Sequence, residues 1–367
     1  MYWVLIILIL LHGIIHLFGF LKAFDIVEFE NISKAVSKGF GVVWLLASVS
    51  FVTTAIMLIL DSDNWWIVCL LAVIISQFLI ISYWADTKFA SVINIALLIP
   101  IFVTYSTQSF KTMIEDEIKS MYTRQSHSKF DSFSQDKFTA LPPPVRNWLE
   151  NSGAMSKGNI DNIYLEQEIK LKMNPEQKDW SVAKSEQYFT IYPPSFNWSI
   201  DLSMYGFLNL VGRDKFENGK GEMLIKLLSL IPVADAKNNS KIDQAALQRY
   251  LAEIVWFPTA ALSNYIEWKS INETSAKATM NYKGTEGSGV FYFDESGDFV
   301  RFVADRFKDV EDKEPKKWTV IANKIESRNG IRIPTECEAK WELDTGDWTW
   351  LWLKINHIEY NLNIEMD

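Results

Sequence analysis

The sequence predicts a membrane-embedded bundle of four α-helices joined to a soluble α+β domain, the latter a curved antiparallel sheet or half-barrel with a packed helix. Three observations carry this. Residues 1–110 hold only four of the 36 Lys/Arg and six of the 45 Asp/Glu. Four apolar stretches of membrane-crossing length fill the same region. Beyond residue 145, most of the chain alternates apolar and polar residues with period two. The expected organisation is a transmembrane domain over 1–107, a stalk and linker over 108–141, and a β-rich domain over 142–367.

The spans are Trp3 to Leu21, Gly39 to Leu60, Trp65 to Tyr83, and Ala90 to Thr107. Helices of this length rise about 27–33 Å, matching a hydrocarbon core of ~30 Å. The first lacks the basic flank and small-residue cleavage site of a signal peptide and is taken as a permanent helix. Trp3, Trp65, Trp66 and Trp84 stand at span ends, where an indole can lie in the headgroup layer. Lys22, Lys34, Lys38 and Lys88 all fall in loops on one side. The positive-inside rule makes that side cytoplasmic, so the expected localisation is the plasma membrane, multi-pass, with the C-terminal domain extracytoplasmic.

Polar residues inside spans are costly in lipid and often functional. His12 and His16 share a face of the first helix. His16, Ser48, Gln77 and Asn94 each lie about 18–20 Å from the outer surface, one per helix, with His12 a turn outward. Such a layer suits a proton relay, a haem or metal held by the histidines, or a quinone pocket. It equally suits interhelical hydrogen bonds, helped by close approach at Gly13 and Gly19.

Phe110, Met113, Ile114, Ile118 and Met121 recur at helical spacing, so the fourth helix is expected to continue as an amphipathic stalk or spacer. Thr123 to Ala140 reads as a solvated linker. A short helix is expected from Pro144. Strand-like runs follow at Ile163 to Met173, Phe196 to Leu202, Ala276 to Tyr282, Val290 to Asp294, Phe299 to Arg306, Trp318 to Glu326, Ile331 to Leu343 and Trp348 to Tyr360. Ser296-Gly297 and Asn329-Gly330 read as hairpin turns. One helix interrupts the strands: Asp243 is expected to cap it, Leu247, Tyr250, Leu251 and Ile254 share a face, and Pro258 ends the run. Simple alternation puts Trp348, Trp350 and Trp352 on one face of the last strand. Together with the four helix residues they are the expected ligand-binding set, bordering an apolar cavity able to hold a lipid or acyl chain; ordinary core packing is the competing reading.

These residues resemble a family of uncharacterised bacterial membrane proteins with a C-terminal domain of unknown function. The likeness rests on His-Gly-Ile-Ile-His-Leu-Phe-Gly-Phe at 12–20, Ser76-Gln77, Trp84-Ala85-Asp86-Thr87-Lys88 and Leu141-Pro142-Pro143-Pro144-Val145-Arg146. Further on it rests on Val211-Gly212-Arg213-Asp214, residues 219–222 and 249–258, and Ile331-Arg332-Ile333-Pro334-Thr335. The strand–helix–strand pattern also resembles the half-barrel of lipoprotein carriers such as LolA and LppX. That likeness implies an apolar cavity covered by helices, by analogy of fold.

The net charge of −9 divides into −2 over residues 1–110 and −7 beyond, which disfavours a nucleic-acid partner. Two cysteines, Cys69 and Cys337, make neither a disulfide framework nor a zinc site. No catalytic residue is assigned and no metal site is expected. His357 and Glu359 share a strand face, as a surface pair or an acid–base pair. The Gly-x-x-Gly-x-Gly at 284–289 precedes a strand and reads as a turn. Three functions fit: a membrane-anchored binder of an apolar ligand, a redox or proton-handling protein using His12 and His16, or a sensor or scaffold docking another protein. The cofactor, if there is one, is not specified by these residues.

Overall fold

The computed structural model describes residues 2–28, 32–125, 135–204 and 208–363. The chain divides into two compact units, Met1–Phe110 and Lys111–Asp367. His127, together with half of the expected linker (residues 126–134), lies outside the described residues.

The first unit contains α1 (Tyr2–Ala23), α2 (Lys38–Ile59), α3 (Trp65–Ser82), the single turn α4 (Trp84–Thr87) and the start of α5 (Ala90–Thr123). α1, α2, α3 and α5 are long and apolar enough to cross a membrane. On α1, Ile6, Ile9, His12, Gly13, His16 and Gly19 are buried at helical spacing. Val4, Ile7, Leu11, Ile14 and Ile15 are exposed on its other side, the distribution a helix adopts when lipid replaces water around it. Gly19 permits contact between α1 and α2, since a Cβ there would come within 2.2 Å of the Trp44 ring.

In the second unit α5 continues to Thr123, followed by α6 (Gln135–Ala140) and α7 (Pro143–Ser152). α7 begins at the proline run as expected, because proline's fixed φ suits a first helical turn. The far half of α5 is no free spacer. Ile114, Ile118 and Met121 are buried, and Glu117 takes Lys215 Nζ at 2.8 Å, Arg213 Nε at 3.1 Å and Asn197 Nδ2 at 2.8 Å. α5 therefore docks on the outer face of the sheet.

That sheet has thirteen strands: β1 (Asn162–Leu171), β2 (Ser181–Thr190), β3 (Ser195–Met204), β4 (Leu208–Glu217), β5 (Lys220–Leu227), β6 (Ile231–Ala236), β7 (Ile266–Asn272), β8 (Ser275–Tyr282), β9 (Thr285–Phe293), β10 (Phe299–Arg306), β11 (Lys316–Arg328), β12 (Ile331–Leu343) and β13 (Gly346–Tyr360). Their order is β6-β5-β4-β3-β2-β1-β13-β12-β11-β10-β9-β8-β7, two antiparallel meanders joined where β1 pairs with β13. Tight turns set the hairpins: Asn329 and Gly330 both have positive φ, 51° and 78°, as a two-residue connection that matches strand twist requires.

The sheet curls into a half-barrel around α8 (Ser240–Glu253). At one point its two arms touch, where Thr285 Oγ1 donates to the Gly219 carbonyl and Lys283 Nζ to Asn218 Oδ1, each at 2.7 Å. Asn239, not Asp243, caps α8, its side chain accepting from Lys241 N at 2.9 Å. Asp243 is turned to the sheet instead, accepting from Gly221 N at 3.0 Å and Lys220 Nζ at 2.8 Å. It anchors the helix inside the curl.

Candidate functional site: the inner face of the half-barrel

Leu247, Tyr250, Leu251 and Ile254 have no accessible surface. They sit in the main core beside Phe189, Phe216 and Phe257, and the Tyr250 hydroxyl lies 3.1 Å from both the Thr190 carbonyl and the Tyr265 hydroxyl. These four residues of the expected ligand-binding set pack into the core and present no surface to a cavity in this structure.

Past this core lies a polar belt. Arg249 on α8 donates to Asp214 on β4 at 2.6 Å and to Glu253 at 2.9 Å, and its guanidinium lies 4.7 Å from the Trp198 ring. Gln187 Nε2 donates to Glu253 at 2.9 Å, and Gln167 Nε2 donates to Gln187 Oε1 at 3.3 Å. Burial pushes the Glu253 carboxyl up, and the Arg249 charge opposes the rise. Each charge here has a partner, as burial demands.

Beyond the belt the inner face is apolar again. Cys337, Leu353, Ile169, Ala183, Leu202, Leu210 and Leu227 stand opposite one another in turn across β12-β13-β1-β2-β3-β4-β5. Leu210 and Leu227 are half-buried, as are Trp348, Trp350 and Leu351 on β13. Alternate apolar residues facing one side create this surface.

The tryptophans of β13 do not share a face. Trp348 stands opposite Trp341, which stands opposite Trp318, so β11, β12 and β13 carry one aromatic rung on the inner side. A bulge between Ala339 and Lys340 then leaves Trp350 as the extra residue of β13. Trp348 and Trp350 pack against the core. Trp352 is turned outward, opposite Glu338 and Lys170, with Lys170 Nζ 4.3 Å from its ring. One inserted residue inverts the alternation. The indole N–H groups of Trp318, Trp348 and Trp350 are buried and have no acceptor among the described residues.

In the first unit, His12 Nε2 lies 3.0 Å from Asn94 Oδ1 and 3.3 Å from Ser76 Oγ. Asn94 Nδ2 donates to Gln77 Oε1 at 3.0 Å, and Gln77 Nε2 to Ser91 Oγ at 3.2 Å. His16 Nδ1 donates to the His12 carbonyl at 2.9 Å. Of the expected layer, Gln77 and Asn94 join His12 in one network, while His16 bonds only the His12 backbone among the described residues. Ser76 and Ser91 belong to the network, and Ser48, though buried, stands outside. His12 Nδ1 and His16 Nε2 are buried without partners among the described residues.

His357 and Glu359 are a surface pair, 3.7 Å apart and each about half exposed. Among the described residues no three His, Cys, Asp or Glu gather as a metal site. Cys69 and Cys337 are both buried and free, and burial pushes the Cys337 thiol up to about 12, leaving no reactive thiolate.

Among solved structures, the chain is similar to a DUF1329 family protein from Desulfovibrio piger ATCC 29098, with 12% identity and a TM-score of 0.36 over 61% of this chain and 95% of that one. It is similar also to a LolA superfamily protein from Nitrosomonas europaea, with 7% identity and a TM-score of 0.35 over 60% of this chain and 95% of that one. No curated protein matches it. The model of a family of unknown function, DUF6920, matches residues 139–360, more than half of the sequence, and the chain belongs to that family.

Proposed function

We propose that the β-rich unit is a membrane-anchored binding module whose inner face holds an apolar ligand such as a lipid or acyl chain. The observation that carries this reading is the half-buried apolar surface formed by Trp348, Trp350 and Leu351 next to the Trp318–Trp341 rung. Large rings left partly wet add little to stability, whereas a ligand chain gains about 25 cal/mol per Å² of apolar surface removed from water. The lysine-bearing loops favour an extracytoplasmic place for this module. Fluorescence quenching by a bromine-labelled acyl chain tests the reading in the full chain. Quenching that falls when Trp348 and Trp350 are replaced by Phe supports it; quenching unchanged by those replacements contradicts it.

A second reading assigns proton or redox handling to the bundle, favoured by the unpartnered His12 Nδ1 and His16 Nε2. Absorbance and metal analysis of the purified protein, with His16→Ala as control, decide it.

A further inference from the structure

Arg306 ends β10 on the inner face, where its Nε donates to the Ala245 carbonyl of α8 at 3.0 Å. Its guanidinium lies 4.7 Å from the Trp318 ring and 5.6 Å from the Trp341 ring. Such stacking leaves the in-plane N–H donors free. Asp214 and Glu253 attract Arg306 only from a distance, and both are already bonded to Arg249, which repels it. Among the described residues Arg306 has no carboxylate partner. Burial pushes it down to about 10, so it stays charged at neutral pH.

Lys316 stands directly opposite Arg306 across β10 and β11. Opposite residues of an antiparallel pair share a face, with Cβ atoms about 5 Å apart, and like charges placed so repel. Among the described residues Lys316 is offset only by Asp344, 3.4 Å away and 95% exposed, a pairing that water weakens. Two adjacent cations, with one exposed carboxylate beside them among the described residues, leave a surplus of donors that an acceptor-rich group satisfies.

We propose that Arg306 and Lys316 bind the oxyanion head group, carboxylate or phosphate, of an amphiphile whose chain lies along the tryptophan rung. This rests on the reading of the inner face as an apolar-ligand site and names the class of ligand. A planar guanidinium gives two parallel hydrogen bonds to either oxyanion, and the rings beside it cover the first methylenes.

The test uses the full chain in a neutral detergent, titrated with oleate, oleoyl lysophosphatidate, monoolein, and free acetate and phosphate. Tryptophan fluorescence reads binding. Oleate or oleoyl lysophosphatidate is expected to bind at least about tenfold more tightly than monoolein, with Arg306→Gln and Lys316→Gln each narrowing that ratio and leaving monoolein unaltered. Circular dichroism checks folding, and the rim-exposed Lys316→Gln carries the test if Arg306→Gln misfolds. Equal affinity for charged and neutral ligands overturns the proposal while the apolar-ligand reading stands. Failure of every oleoyl ligand removes both. Free phosphate or acetate binding as tightly as the amphiphiles assigns the rim to a small anion and overturns the chain placement.

Discussion

Trp341 and Trp348 face each other directly across β12 and β13, just before the bulge that sends Trp352 to the opposite side of the sheet. Two tryptophans four residues apart on one strand therefore have opposite fates. Trp348→Ala is expected to weaken acyl-chain binding by about tenfold or more, the loss of one well-packed ring contact. Trp352→Ala is expected to leave it unaltered. Titration of both variants with the same bromine-labelled chain checks this, and equal losses would refute the face assignment.

Leu247 sits in a filled core, so shortening it costs stability and not affinity. Leu247→Ala is expected to lower unfolding free energy by about 2–5 kcal/mol. Denaturant unfolding reads that loss, and ligand affinity of the remaining folded protein stays at the wild-type value.

Arg249 neutralises two carboxylates at once. Arg249→Met leaves Asp214 and Glu253, both half-buried, without a bonded cation, at an expected cost of about 2–4 kcal/mol. Burial already raises the Glu253 carboxyl above 4.5, and losing Arg249 raises it further. An acid whose folded-state pKa is raised penalises the fold above that pKa and relieves it below. The deficit is thus full above the elevated pKa and narrows as pH falls through it toward the ordinary carboxylate range. Unfolding curves across that window check the sign.

Gly19→Ala would drive a methyl group into the Trp44 ring. Overpacking of this kind costs about 1–3 kcal/mol unless the helices part. A lowered unfolding temperature of the detergent-solubilised protein is the expected result.

Sidedness needs a new cysteine, because Cys69 and Cys337 are both buried. Asp344 has a 95% exposed side chain on the β12–β13 connection. Asp344→Cys is expected to react with an impermeant maleimide added outside intact spheroplasts. Reaction only after lysis would put the β-rich unit in the cytoplasm.

The helices and hairpins were largely legible in the residues. Runs of apolar side chains gave α1, α2, α3 and α5, and period-two alternation with Asn329-Gly330 gave β11, β12 and their turn. β2 and β4 are hidden because their apolar positions are broken by Gln187, Ser185, Asp214 and Gly212, which face inward for the polar belt and the close approach of β3. The site was legible only in part. Alternation singles out Trp348 and Trp350, but Trp318, Trp341 and Arg306 lie on other strands, and only register joins them. Bulges set that register, and alternation cannot see a bulge. The helix stripe at Leu247 to Ile254 showed an apolar face correctly, since apolar periodicity reports burial whether the neighbour is core or ligand.

Native mass spectrometry of the full chain, gently released from its membrane, tests the central claim most directly. The account predicts a bound lipid or acyl species that persists in Trp352→Ala and disappears when Trp348 and Trp350 are both replaced by Ala. Wild-type protein flying at the bare polypeptide mass, or a bound species retained in the double variant, would contradict it.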